Sequence, residues 1–562
     1  MSGAVKTIAE VAAQPFTSVA DAVHALRAVD DRGIWSDGRL TPWSDAVGAV
    51  AVRIAALREL MTSSSPPSSS SPSSSSPSRP HIGLLLAGTP EYLHLLGAAA
   101  CSELVVAGLN PTRRGEALAR DAALADCALI LTDTDNAPLL DGVDTGVPVV
   151  DVDSPEWAAL LERHAGTALP DPADVPVGPD DLVALVFTSG TSGDPKAVRI
   201  TQSKISVPGR MLAERFGIGR GDCVYSAMPL FHSNAVMVAW PIALYSGCSI
   251  ALRRRFSASN WLDDVRRHGC TFANYVGAPL SYILATPERP DDADNPMRVV
   301  YGNEAPADVR REFARRFGVT VVDGFGSSEG GISVTRTPDT PDAALGPLPD
   351  GVRIVDPETG AECPRARFDD AGVLLNADES VGEMVADGPG LFSGYYGDPA
   401  ADAERMRGGR FHSGDLAYVD DDGYVYFAGR SGGWMRVDGE NLAAAPIERV
   451  LRRHPDVAEV GVYAVPADTV RGPAAIGDAV AAAVVPREGA DASALADGFG
   501  DFLAAQPDLG PKQWPSLLRM TAALPRTASF KFRARDLSTL GAEPAGDRVW
   551  RRADGAGAFT PG

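Results

Sequence analysis

From Ile82 to about Arg430, short apolar runs alternate with amphipathic stretches, and this alternation sets the expected fold. Leu182–Phe187 is a continuous apolar run of strand length, as a strand covered on both faces would be. Ala307–Phe317 carries apolar residues at helical spacing, and Val319–Val322 follows it as a strand. Strands that alternate with helices in this way predict α/β architecture with a substantial parallel component. Towards residue 430 shorter alternating strands such as Gly423–Phe427 appear, ahead of a Gly-rich break at Gly432–Gly433. Beyond the break, Pro446–Arg453 reads as a helix and Val457–Val465 and Ala479–Val485 read as strands. The expectation is a large N-terminal region, 1–430, followed by a small α+β domain, 431–562.

One segment departs from the pattern. Residues 63–79 form a Ser/Pro tract between a helical pattern, Asp45 to Leu60, and an apolar run, His81 to Ala87. Such a composition cannot bury a core and is expected to be disordered. Because the elements on either side look like parts of one α/β layer, the tract reads as an enlarged surface loop. A phosphorylated or partner-binding linker is the sharper alternative. No repeat of solenoid type is present.

Composition narrows the function. With 562 residues, more than one core is expected. A formal net charge of -22 argues against a nucleic-acid surface but leaves room for a small anion in a local positive pocket. Only five of the 51 basic residues are Lys: Lys6, Lys196, Lys204, Lys512 and Lys531. In a chain that defaults to Arg, a retained Lys points to a need for a compact ammonium. The six Cys are scattered without C-x-x-C spacing, as buried thiols in a reducing compartment would be. No run of about 18 apolar residues occurs and the N-terminal sequence lacks the apolar core of a signal peptide, so the expected location is the cytoplasm.

The strongest local signal is Thr188-Ser189-Gly190-Thr191-Ser192-Gly193-Asp194-Pro195-Lys196, directly after the strand Leu182–Phe187. Small residues let backbone N–H groups approach phosphate oxygens, hydroxyls add donors and Lys196 supplies charge. It is not a Walker A loop, since the Lys comes three residues after the last Gly and no Ser or Thr follows it. The segment resembles the phosphate loop of the acyl-adenylate-forming superfamily, with Ala197 where Gly usually stands and Gln202 where His is common.

Further motifs follow in that family's order. Asp323-Gly324-Phe325-Gly326-Ser327-Ser328-Glu329 resembles its Y-G-x-T-E motif. The resemblance implies that Phe325 packs near adenine, Ser328 donates to the α-phosphate and Glu329 holds Mg²⁺. Gly302, Asn303, Glu304, Ala305 and Pro306 match the stretch that lines the second face of the adenine, with Gly302 also bordering the acyl pocket. Ser413-Gly414-Asp415 resembles T-G-D, which makes Asp415 the ribose anchor with Arg430 as its neighbour. His232 stands where the family places a gate between adenylate and acyl pocket; a satisfied core histidine is the alternative. Leu524–Lys531 resembles the segment around the lysine of adenylation, whose mobile ammonium would neutralise charge building at the α-phosphate.

Thr527-x-x-Phe530-Lys531, Asn274–Pro287, Gly439-Glu440-Asn441 and Arg253–Ala258 resemble the fatty-acid-transport and very-long-chain branch. In that branch Tyr275 would begin an apolar acyl pocket. The implied fold is stacked α/β subdomains capped by a small mobile domain that turns about Gly432. One orientation brings Lys531, the other brings Gly439, with Arg436, Arg253, Arg254 and Arg471 as candidates for CoA phosphates. The implied enzyme is an AMP-forming acyl-CoA synthetase that uses ATP, Mg²⁺ and CoA on a long-chain fatty or polycyclic acid. A homodimer is compatible with it. The rival expectations are an acyl-AMP ligase that loads a carrier protein and an inactive adenylate-binding protein.

Overall fold

The computed structural model describes residues 15–64, 79–189, 195–369, 374–430, 435–437, 440–442, 444–473, 475, 477–506, 509–527, 532–552 and 558–562. Two compact units divide the chain. One comprises residues up to Ser333 together with Pro389–Met406, the other Val334–Gly388 together with Arg407–Gly562.

The first unit is α/β, as the alternation predicts. One sheet runs in the order Val149–Asp151, Cys127–Thr132, His81–Leu85, Val105–Gly108, Leu182–Ser189 and Pro195–Thr201. All its pairings are parallel except the last. Leu185 is 0% and Val186 2% exposed, and consecutive residues of a strand point to opposite faces, so the strand is covered on both sides. A second sheet aligns Thr320–Gly326, Val299–Asn303, Phe272–Val276, Cys223–Ser226, Ser249–Leu252 and Gly33–Ser36 in parallel, and Arg39–Pro42 closes its edge antiparallel. The helix Ala307–Phe317 has the bounds its periodicity predicts.

Two expectations change here. The strand after Leu182 continues to Ser189 and returns antiparallel as Pro195–Thr201, so Lys196 stands on a strand opposite Thr188 and not on an open loop. The Ser/Pro tract is shorter than its composition suggests. Ser63 and Ser64 complete the helix Trp43–Ser64, while Arg79 donates to Leu182 O at 2.9 Å and pairs with Asp181 at 2.9 Å. Residues 65–78 lie outside the described residues. The helix Trp43–Ser64, before the tract, packs on the helix Pro90–Ala100, after it. A Cβ at Gly97 would lie 2.7 Å from Val50 Cγ2, and Arg53 Nε donates to Glu91 Oε1 at 3.1 Å.

In the second unit the strands between residues 346 and 430 are antiparallel, in the order Gly346–Pro347, Tyr424–Arg430, Arg410–Val419, Gly382–Asp387 and Val352–Val355. This corrects the extension of the parallel pattern to Arg430; Tyr418 and Tyr426, opposite one another, stack at 5.1 Å, a cross-strand pair of antiparallel sheets. A second, mixed sheet runs Val457–Pro466, Asp478–Pro486, Leu517–Met520, Arg548–Arg552 and Phe559–Pro561. The helices Ala444–Leu451 and Ala492–Ala504 bury Ile447, Leu451, Phe499 and Leu503 in the core on this sheet. No helix among the described residues is long and apolar enough to cross a membrane. All six Cys are free thiols, five of them buried.

Candidate active site

Within the first unit, the hairpin Leu182–Ser189 and Pro195–Thr201 is locked to the segment that follows Pro389. Arg199 N donates to Gly394 O at 3.1 Å, Tyr396 N donates to Ala197 O at 2.8 Å, and Val198 forms a bridge with Tyr395. This puts Tyr395 beside Lys196, whose ammonium lies 5.2 Å from the centre of the tyrosine ring and 3.6 Å from Glu404 Oε2. Thr188 sits opposite Lys196 and Ser189 opposite Pro195. Gly190, Thr191, Ser192 and Gly193 lie outside the described residues.

Glu329 reaches the same place from the turn after Thr320–Gly326. Tyr395 Oη donates to Glu329 Oε1 at 3.0 Å and accepts from Arg405 Nε at 3.2 Å. Burial pushes the Glu329 carboxyl up. Its own backbone N–H, the Arg405 charge, Tyr395 and Ser327 outweigh that and hold it below the usual carboxylate range. Ser328 Oγ lies 2.7 Å from Ser233 Oγ, which joins the turn to the residue after His232. The His232 ring tilts against Phe231 at 4.4 Å, and a π-helical turn, Ala235–Ala239, follows.

The adenine-side candidates converge on one carboxylate. Asp323 Oδ1 accepts from the Tyr275 hydroxyl and from Ala305 N at 3.3 Å, and Oδ2 lies 3.9 Å from Arg310 Nη1. Burial pushes Asp323 up to about 6, against the pull of Tyr275 and Arg310. Asn303 Nδ2 donates to Gly324 O, and Asn303 O accepts from Gly277 N at 3.0 Å. Glu304 takes a φ of 70°, a left-handed conformation that non-glycine residues rarely adopt outside special sites. Pro306 caps the helix Ala307–Phe317, and Phe325 lies one residue before the end of the strand Thr320–Gly326. Gly302 is needed for close approach, since a Cβ there would sit 2.6 Å from Tyr275 Cδ1. Beside Tyr275 lies a cavity of about 20 Å³, lined by Tyr225, Met228, Phe256, Trp261 and Leu280 among others. It has room for about one water.

In the second unit, Asp415 is 5% exposed and pairs in register with Arg430. Its backbone N–H donates to Ser413 Oγ at 3.0 Å, Ser413 Oγ donates to Met384 O at 2.6 Å, and Gly414 N donates to Glu383 Oε1 at 2.9 Å. Gly414 has a φ of 70°, a turn that favours glycine. Arg436 stands opposite Asn441 in a short hairpin. Gly432, Gly439 and Lys531 lie outside the described residues. Arg253 pairs with Asp264 at 3.1 Å and Arg254 with Asp135 at 2.9 Å, so both guanidinium groups are engaged by carboxylates of the chain itself. Arg471 ends the short helix Ala467–Arg471.

Motif reading missed Tyr395 and Arg405, which reach the site only through tertiary contact, and the contact of Ser233, the neighbour of His232, with Ser328. Lys204 was among the five lysines but outside any motif. It is 0% exposed, donates to Arg199 O at 3.3 Å and lies near Gly330, where a Cβ would be 3.2 Å from Lys204 Cε.

The profile of the AMP-binding enzyme family matches residues 77–396, and that of the AMP-binding enzyme C-terminal domain matches residues 446–531. The chain is 52% identical over 527 residues to the medium/long-chain-fatty-acid–CoA ligase FadD17 of Mycobacterium marinum, covering 93% of this chain and 96% of that protein. It is 45% identical over 463 residues to the steroid-22-oyl-CoA synthetase of Rhodococcus jostii, covering 81% of each. Among solved structures, ATP-bound MatB from Rhodopseudomonas palustris shares the fold with a TM-score of 0.76 at 23% identity, over 93% of this chain and 99% of that one.

Proposed function

The chain belongs to the AMP-binding enzyme family, and from that premise we propose that it is an acyl-CoA synthetase for large hydrophobic carboxylic acids. It joins the acid to ATP as an acyl-adenylate with release of pyrophosphate, then passes the acyl group to CoA with release of AMP. The observation that carries this reading is 52% identity, over 93% of the chain, to a ligase named for medium- and long-chain fatty acids. The 45% identity to a synthetase named for a steroid acid supports extending the acid class to polycyclic acids.

Each residue is assigned a part. Lys196 and the hydroxyls of Thr188 and Ser189 bind phosphate oxygens, Ser328 donates to the α-phosphate, and Asn303 to Pro306 with Phe325 enclose the adenine. Asp415 accepts the ribose hydroxyls beside Arg430. The residues fit Mg²⁺, since Glu329 is a hard oxygen donor whose carboxyl is held below the usual carboxylate range. One carboxylate plus substrate phosphates is how Mg²⁺ is commonly bound, and the ion would offset charge on the triphosphate. Lys531 neutralises the first transition state, and Gly439 leaves room for the thiol in the second step. The two states are reached by turning residues 431–562 about Gly432. Holding thiol and adenylate together is worth about 7–11 kcal/mol when alignment is good. We place the reaction in the cytoplasm, where ATP and CoA are available and the six free thiols stay reduced.

The acid enters past His232 towards Tyr275. The cavity there has room for about one water, so a long acid must displace lining side chains such as Met228 and Phe256. Each CH₂ that becomes buried then contributes about 0.8 kcal/mol, which separates large acids from small ones. The test is acid-dependent ATP–pyrophosphate exchange over a panel from acetate to long-chain and steroid acids, with thioester detection by mass spectrometry. Acetate as efficient as the best large acid would overturn the acid class. Turnover only with a carrier protein would overturn the acceptor.

A further inference from the structure

Four groups meet at Tyr395, and none of the motifs contains it. We propose that Tyr395 is a positioning residue that couples the metal-binding carboxylate to the phosphate-binding lysine. The inference rests on the reading of Glu329 as Mg²⁺ ligand and Lys196 as phosphate contact.

Tyr395 is 3% exposed, so its ring and hydroxyl are held by neighbours and not by solvent. The hydroxyl donates to Glu329 Oε1 at 3.0 Å while accepting from Arg405 Nε at 3.2 Å. The arginine polarises the O–H, which strengthens its donation to the carboxylate. The face of the same ring carries the Lys196 ammonium at 5.2 Å, within the range of a cation–π contact. Tyr395 is itself fixed at the backbone, where its N–H donates to Asp402 Oδ1 at 2.6 Å and it bridges to Val198. One rigid side chain therefore sets the rotamer of Glu329 through its hydroxyl and the place of Lys196 through its ring. Binding of an Mg²⁺–triphosphate would call on both at once, Glu329 to hold the ion and Lys196 to offset phosphate charge.

The two contacts are separable by substitution. Tyr395→Phe removes the hydroxyl and keeps the ring; Tyr395→Leu removes both. Calorimetric titration of the full chain with ATP, in excess Mg²⁺ and again in EDTA, reads them apart. Tyr395→Phe should weaken binding in Mg²⁺ about tenfold to a hundredfold and leave binding in EDTA nearly unchanged, as loss of one hydrogen bond to a charged group would. Tyr395→Leu should add a loss of about twofold to fivefold under both conditions, because Lys196 loses its aromatic face. Tyr396→Phe is the control: Tyr396 Oη donates to Asp126 at 2.9 Å, a contact that involves none of the candidate site residues, and this variant should bind as the parent does. Should Tyr395→Phe not stay folded, Arg405→Gln, which removes the donor to the hydroxyl, must show the same Mg²⁺-selective loss. Equal losses in Mg²⁺ and EDTA for Tyr395→Phe would overturn the inference while leaving the family reading intact. Glu329→Gln separates the two failures. If it keeps the full gain from Mg²⁺, the metal-ligand assignment of Glu329 falls, and the role of Tyr395 falls with it.

Discussion

Replacing Lys204 by Met should make the protein more stable near neutrality and flatten its stability profile on the alkaline side. Lys204 is 0% exposed, and its ammonium donates to Arg199 O at 3.3 Å. Burial drives the ammonium down from 10.5 to about 7, with the charge of Glu329 pulling the other way. At about 1.4 kcal/mol per pH unit, that fall corresponds to about 5 kcal/mol against the folded, charged form. Between the folded and unfolded values the unfolded chain binds the proton and the folded chain does not, so stability rises with pH across this window. Below the folded value both states are protonated and the whole cost is present. From about pH 7 to about pH 9 the rise from this one group is about 2 kcal/mol. Met fills much of the same volume without a charge, and the lost hydrogen bond to Arg199 O costs about 1 kcal/mol at every pH. The assay is equilibrium urea unfolding of parent and Lys204→Met, followed by tryptophan fluorescence, in EDTA and without nucleotide. The variant should be the more stable at about pH 7, and its advantage should shrink by about 2 kcal/mol by about pH 9. An advantage that is the same at both pH values, or a variant less stable at both, would refute the reasoning.

Two further substitutions follow from the packing. Gly302→Ala puts a Cβ 2.6 Å from Tyr275 Cδ1 and against its carbonyl, so it should cost about 3 kcal/mol or more, read as a lowered midpoint of thermal unfolding and loss of ATP affinity. Replacing residues 65–78 by a short Gly/Ser linker should leave turnover and solubility within a few-fold, because loop length costs little entropy and the helix Trp43–Ser64 and Arg79 are kept; a large drop in either would mean the tract has a role of its own.

The sequence was legible where local pattern and burial agree. The helix Ala307–Phe317 is amphipathic along its whole length and ends on Gly318 in the left-handed conformation, so both its bounds were readable. Leu182–Phe187 was recognisable as a doubly covered strand, but its hairpin partner was not. Pro195 and Lys196 open Pro195–Thr201 and resemble the end of a loop, and only the alternation Val198, Ile200 hints at a strand. The antiparallel sheet after residue 346 was misread because strand direction depends on which strands pair, and short alternating runs do not record it. The candidate site divides in the same way. Thr188 to Lys196, Asp323 to Glu329 and Ser413 to Asp415 are contiguous motifs, whereas Tyr395 and Arg405 act on Glu329 across more than 60 residues of chain. Their signal in the sequence is faint: a Gly-Tyr-Tyr step with two bends of positive φ, at Gly394 and Gly397.

The central claim is a two-step reaction in which one segment serves adenylation and another serves thiol attack. Measuring both half-reactions on Lys531→Ala and Gly439→Leu tests it most directly, with pyrophosphate exchange for the first step and thioester formation from supplied acyl-adenylate for the second. Lys531→Ala should lose roughly 10²–10³-fold or more in exchange, as removal of one preorganised donor does, and should keep thioester formation. Gly439→Leu should keep exchange and lose thioester formation, because its side chain fills the space the thiol arm needs. If Lys531→Ala slows both steps equally, or Gly439→Leu leaves thioester formation intact, the two-step account does not describe this protein.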